Sequence, residues 1–297
     1  MRLLLLLLLC FLPLRAAAAD GPSISRIRDT GVIVMGYRPA SLPFSYLDTN
    51  LKPIGYSIEL CERVIAAVKR ELKLPELEVK RVAVSSATRL PMVANGMLDM
   101  ECGITTNNVE RARNQAFSIT TFVTETKLLS RSVDGVRSLR DLRGKPVAST
   151  IGTTSIQYLH SINEQEDLGF RILAGLDDPE AFHLLRTGRA RAFMMDDVLL
   201  RSMLAQLPSP QGYEVSEQAL TVEPYGIGLS RYDPGFKQLV DGVLIELYRS
   251  GEIFAIYRRW FESPIPPLGI NLKLPMSEAF KRVIARPTDT PDPAHYR

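Results

Sequence analysis

Two hydrophobic periods alternate along the chain. Val32–Tyr37 is a short β-branched run that reads as a strand. Ser57 then opens a stretch in which Ile58, Cys61, Val64, Ile65, Val68 and Leu72 recur three and four apart, one face of a helix, and Pro75 stops it. Residues 77–84 alternate as a strand, 87–94 predict a short helix closed by Gly96, and 98–104 read as a strand again. After a polar, turn-rich stretch at 138–144 the same alternation resumes. Strands are expected at 146–149, 171–173 and 190–195, and helices from 152–155 through Leu159, at 179–187 and at 197–207. A strand at 225–229, amphipathic helices at 234–250 and 252–261, and a proline-containing tail at 264–274 complete the pattern. Strand and helix in alternation place helices over a largely parallel sheet. The two blocks are joined by short connections, with no Gly/Ser linker and no internal repeat. They predict an α/β chain of two lobes with a cleft between them, a favoured place for a small ligand.

The first residues do not belong to that pattern. Arg2 precedes an apolar run at 3–14, and residues 16–19 are all alanine, the arrangement of an export signal cut near Ala19/Asp20. The run falls short of the roughly 20 residues a spanning helix needs. Cys10 follows Leu9 rather than a small residue, which argues against a lipid anchor. The formal charge is +3, and Arg2 and Arg15 account for two of those charges. The nearly neutral remainder gives no footprint for nucleic acid or an anionic membrane. Beyond the leader only Cys61 and Cys102 remain, so the chain is not a cysteine-stapled scaffold. The two could bridge, but each falls on an apolar face where buried thiols are ordinary, and free thiols are the expectation.

Three polar clusters fall where a cleft would open, at strand ends and helix starts. Residues 104–111, Ile-Thr-Thr-Asn-Asn-Val-Glu-Arg, offer hydroxyls and backbone N–H groups at an expected helix start, with Arg111 one turn on. That combination suits a carboxylate, although Thr-Thr-Asn-Asn also reads as a plain helix cap. Gly152-Thr153-Thr154-Ser155 repeats the chemistry in the second block. At 194–197, Met-Met-Asp-Asp, an apolar strand delivers a carboxylate that could take an ammonium group or cap the next helix.

Taken with Gly31-Val32-Ile33-Val34, Pro43-Phe44-Ser45-Tyr46, Gly55-Tyr56-Ser57, Glu101-Cys102-Gly103, Phe117-Ser118, Gly188-Arg189-Ala190, Tyr225-Gly226 and Trp260-Phe261, these clusters carry a resemblance by their order and spacing. The chain resembles bacterial extracellular solute-binding proteins of family 3, the periplasmic binding proteins of polar amino-acid ABC transporters, and within them most closely the glutamate/aspartate binders. The resemblance implies a two-lobed periplasmic-binding-protein-like fold (type II) with two crossing hinge strands and an interdomain ligand cleft. Lobe 1 would comprise residues 20–123 and 225–297, and lobe 2 residues 124–224, after a signal peptide at 1–19. It further implies a monomer in the periplasm that hands an amino acid to an inner-membrane ABC permease. Arg111, Thr106 and Thr154 would hold the α-carboxylate and Asp196 the α-ammonium, while Arg38, Ser86 and Arg89 would surround the distal carboxylate.

The chain departs from that pattern at two places. Ile104 stands where acidic-amino-acid binders have a serine, and Asp178 where they have a histidine. An anion at 178 weakens attraction for a second carboxylate unless it pairs with Arg38, so a neutral relative such as glutamine or asparagine, or a different dicarboxylate, stays open as the ligand. No catalytic residue, metal site or cofactor is expected. His160, His183 and His295 are the only histidines, none in a triad or ligand spacing, and the glycines form no phosphate loop. Capture by lobe closure is therefore the leading reading. The alternatives are a dehydratase of cyclic prephenate-like acids on the same fold, using Asp178 or Glu101, and a sensor for a membrane receptor.

Overall fold

The computed structural model describes residues 21–297, so the signal peptide expected at 1–19 lies outside the described residues. In chain order the first elements are α1 (Pro22–Thr30), β1 (Val32–Tyr37), β2 (Ala40–Ser41), β3 (Ser45–Leu47), β4 (Pro53–Ile54), α2 (Tyr56–Leu72), β5 (Glu78–Ala83), α3 (Arg89–Ala94), β6 (Met100–Cys102) and β7 (Ala116–Phe117). Then come β8 (Phe122–Arg131), β9 (Pro146–Thr150), α4 (Thr154–Gln165), β10 (Arg171–Gly175), α5 (Asp178–Arg186), β11 (Ala192–Asp196), α6 (Asp197–Ala205), β12 (Tyr213–Val215) and β13 (Thr221–Tyr225). The chain ends with β14 (Gly228–Leu229), α7 (Pro234–Arg249), α8 (Glu252–Tyr257) and α9 (Glu278–Ala285).

Two sheets organise these elements. One runs β5-β1-β6-β14-β7, with β1 parallel to β5 and β6, and β14 antiparallel to its neighbours. The other runs β10-β9-β11-β8-β12, with β13 also on β8. A small β2-β3-β4 sheet stands beside the first. The chain leaves the first sheet after β7, enters the second through β8, and returns through β13 into β14. β8 and β13 pair antiparallel from Phe122↔Tyr225 to Thr126↔Thr221 and form the hinge ribbon.

The ribbon is anchored by aromatic packing. Phe122 and Tyr225 lie with Phe44, Tyr56, Tyr257 and Phe261 in one buried cluster, with centroids 4.9 Å apart for Phe44–Phe122 and 5.0 Å for Phe122–Phe261. Edge-to-face and stacked rings contribute beyond their buried area. One lobe therefore grips the ribbon while the other is carried by its far end.

Several sequence expectations change. Cys61 and Cys102 form a disulfide between α2 and β6 with Cα atoms 6.3 Å apart. Their buried apolar positions are the ones expected, but the strand and the helix packed on it bring the two within bonding distance. The helix expected after Thr105 is a single 3-10 turn, Arg111–Arg113. Thr106 is bridged to Tyr225 and Asn107 N–H bonds Pro224 O at 2.8 Å, so the segment is already tied to the hinge. Asn108 Oδ1 takes the Arg111 N–H at 2.9 Å, the local bond that competes with helix. The expected strand at 225–229 is split between β13 and β14 at the crossing. The tail continues into α9, whose Phe280 and Val283 are buried.

Candidate functional site

The cleft is shut. Arg111 lies after β6 in the first lobe, and its Nη2 donates across to Gly152 O at 3.2 Å, while Nη1 donates to Thr106 O at 3.0 Å. Arg38, at the end of β1, donates to Ser86 Oγ, and its Nη2 lies 3.9 Å from Oδ2 of Asp178 in the second lobe. Gly152 rests on the backbone of Ser86 and Ala87. Arg38, Ser86, Arg89, Thr106, Arg111, Asp178 and Asp196 are all buried here, and Thr154 opens α4 beside them.

Each side chain owes its place to a strand or helix end. Arg38 follows β1, Asp196 ends β11, Arg89 opens α3 and Asp178 opens α5. Asp178 Oδ1 accepts from Thr150 Oγ1 at 2.7 Å, so it faces the cleft while Asp177 caps α5 by accepting from Glu180 N–H at 2.9 Å. Asp196 does not cap α6. Its Oδ1 accepts from Thr126 Oγ1 at 3.0 Å and its Oδ2 from Tyr225 Oη, both hinge residues.

Arg89 is 2 % exposed, and its Nε and Nη1 have no hydrogen-bond partner among the described residues. Burial pushes its guanidinium down to about 9, with Glu101 drawing it up and Arg38 and Arg111 adding like-charge repulsion. It is a cation at neutral pH, and stranding a buried cation without partners costs on the order of several kcal/mol. Arg111 is also lowered by burial, against Glu223, Asp196 and Glu101. The Asp196 carboxyl is pushed up, first by burial and then by Glu223.

Two acids in this cluster were not singled out as binding residues from the sequence. Glu223 on β13 accepts from Thr154 Oγ1 at 2.8 Å and from Thr221 Oγ1, so the Thr154 hydroxyl is committed to the hinge rather than to Arg111. Glu101, in the middle of β6, accepts from Thr105 Oγ1 at 2.6 Å through Oε2, and its Oε1 has no partner among the described residues. The signal available in the sequence was a carboxylate set between apolar residues, Met100-Glu101-Cys102 and Val222-Glu223-Pro224. Ile104 belongs to the main hydrophobic core.

A shut two-lobed cleft lined by three guanidiniums and several carboxyls defines a receptor for a small charged molecule. Residues 33–263 match the bacterial extracellular solute-binding proteins, family 3, and the chain belongs to that family. It is 46% identical over 268 residues, 90% of this chain and 89% of the other, to the L-glutamate/L-aspartate-binding protein of Pseudomonas aeruginosa. It is 39% identical over 274 residues, 92% of this chain and 91% of the other, to the glutamate/aspartate import solute-binding protein of Escherichia coli. Among solved structures, a mutant of the arginine-binding protein of T. maritima superposes with a TM-score of 0.70 at 26% identity, covering 80% of this chain and 98% of that one.

Proposed function

We propose that this protein is a periplasmic receptor that captures glutamate or aspartate by lobe closure and presents it, as a monomer, to an inner-membrane ABC permease. Lobe 1 is residues 20–123 with 225–297 and lobe 2 is 124–224, the divisions falling in the hinge ribbon. The observation that carries the reading is the convergence of opposite charges inside the cleft: Arg111 with Asp196 as an attracting neighbour, Arg38 facing Asp178, and a buried Arg89 whose Nε and Nη1 lack a partner among the described residues. Arg111, with Thr106, suits an α-carboxylate and Asp196 an α-ammonium. Arg38, Ser86 and Arg89 suit the distal group of the ligand. Asp178, paired with Arg38, sets the direction of that guanidinium.

Closure is the whole of the mechanism. Arg111 bridges the lobes through Gly152, and Arg38 of lobe 1 faces Asp178 of lobe 2, so these cross-lobe contacts form only when the cleft shuts. The ligand supplies the missing partners, and the hinge ribbon absorbs the rotation. The ligand leaves unchanged, so incubation returns it intact; turnover of a cyclic acid would instead support the dehydratase reading.

Calorimetry with glutamate and aspartate tests this directly. Arg111→Ala should abolish binding of every α-amino acid, a loss of about 1000-fold or more for a buried charge pair. Arg89→Ala should penalise acidic ligands most. Equal, modest losses from both would sink the assignment of the two ends.

A further inference from the structure

We propose that Asp178 is a specificity-determining residue that lets the distal subsite accept a carboxamide nearly as well as a carboxylate, an inference that rests on the amino-acid-binding reading above. If Arg111 faces the α-carboxylate and Asp196 the α-ammonium, the distal end is left with Arg38 and Arg89 as cations. It also holds two anions. Asp178 is 3 % exposed, Glu101 is fully buried, and Asp178 Oδ2 stands 3.9 Å from Arg38 Nη2. Glu101 Oε1 has no partner among the described residues, and a Cβ placed on Gly103 would lie 2.2 Å from that oxygen and 2.9 Å from Arg38 Cγ, so the acid lies against the stem of Arg38. The distal subsite is therefore electrically balanced before a ligand enters.

A ligand carboxylate adds an anion to this balanced group and meets Asp178 as a like charge. A carboxamide adds none. Its oxygen can accept from Arg89, whose Nε and Nη1 have no partner, and its N–H groups can donate to the carboxylates. The site thus offers both donors and acceptors where a pure carboxylate clamp would offer donors alone. Asp178 is held toward the cleft by Thr150, so it does not swing away when the ligand arrives.

The test is calorimetry of glutamate, glutamine, aspartate and asparagine against the wild type, Asp178→Asn and Asp178→Ala. In the wild type the amide should bind within about tenfold of its acid. Removing the charge should tighten the acid relative to the amide by about tenfold or more in both variants, the scale of one like-charge contact in a partly screened site. Asp178→Asn keeps an acceptor for Thr150, and a melting curve confirms that each variant is folded. A wild type that rejects both amides by more than about 100-fold, or an acid-to-amide ratio unmoved in both variants, overturns the role of Asp178 while leaving acidic-ligand capture standing. Binding of none of the four would overturn the amino-acid reading and this inference with it.

Discussion

Gly152 has φ +78°, and a Cβ added there would lie 2.6 Å from Ala87 N and 2.7 Å from Ser86 C, backbone atoms of the opposite lobe. Its role is close approach as well as conformation. Gly152→Ala should cost the second lobe only about 1 kcal/mol for the left-handed backbone, because the three atoms nearest the methyl all belong to Ser86 and Ala87 of the other lobe. Closure is another matter, since Ser86 and Ala87 would have to retreat and Arg111 would lose its carbonyl partner. Ligand affinity should fall by about tenfold or more with a melting temperature within a few degrees of wild type. An unchanged Kd would show that the lobes do not meet here when the ligand is bound. The glycine stood in the sequence as part of a hydroxyl-rich helix start. The strand ends that present Arg38 and Asp196 were legible from period and polarity, whereas a contact between residues 86 and 152 depends on how two lobes face each other, which local pattern does not encode.

Among the elements, α2 and β6 show why pattern succeeded and where it stopped. The apolar stripe at 58, 61, 64, 65, 68 and 72 places Cys61 on the buried face, and alternation places Cys102 on the face of β6 opposite Glu101. The bond between them is a tertiary fact, set by the packing of α2 on β6, and it overturns the free thiols that the sequence favoured. The same limit hid the hinge: β8 carries polar threonines at 124 and 126 that face Asp196 and β13, so its hydrophobic alternation is broken by functional residues. Closing a loop across a sequence separation of 41 restricts the unfolded chain by about 4 kcal/mol in the chain-entropy account. Replacing both cysteines by serine should therefore lower the melting temperature by roughly 5–15 °C. Reductant should lower the wild type toward the double variant and leave the variant itself unmoved. Because Cys102 adjoins Glu101 and Gly103 at the cleft floor, affinity should also weaken, which calorimetry below the transition reports.

For the whole molecule, the decisive quantity is the balance between open and shut lobes, and Asp196 ties that balance to pH. In the shut cleft its carboxyl is pushed up by burial and by Glu223, with Asp178 adding to the repulsion and Tyr225 and Thr126 opposing it through hydrogen bonds. In an open cleft the same carboxyl meets water, which relieves the burial that raises it and lowers its value from that of the shut form. Between the two values the shut form holds the proton more tightly. Falling pH thus favours closure without ligand, and rising pH through the shut-form value removes that advantage. A ligand ammonium does the work of the proton by giving Asp196 a partner, so the liganded protein should shut at either pH. Small-angle scattering of the ligand-free protein should give a smaller radius of gyration at pH 5 than at pH 7.5, with the difference abolished by saturating ligand. Asp196→Asn carries no charge to bury and should make the ligand-free dimensions independent of pH over that range. A wild-type radius that does not change with pH would mean that closure is governed by the arginines and the aromatic grip on the hinge, with Asp196 ionised in both forms.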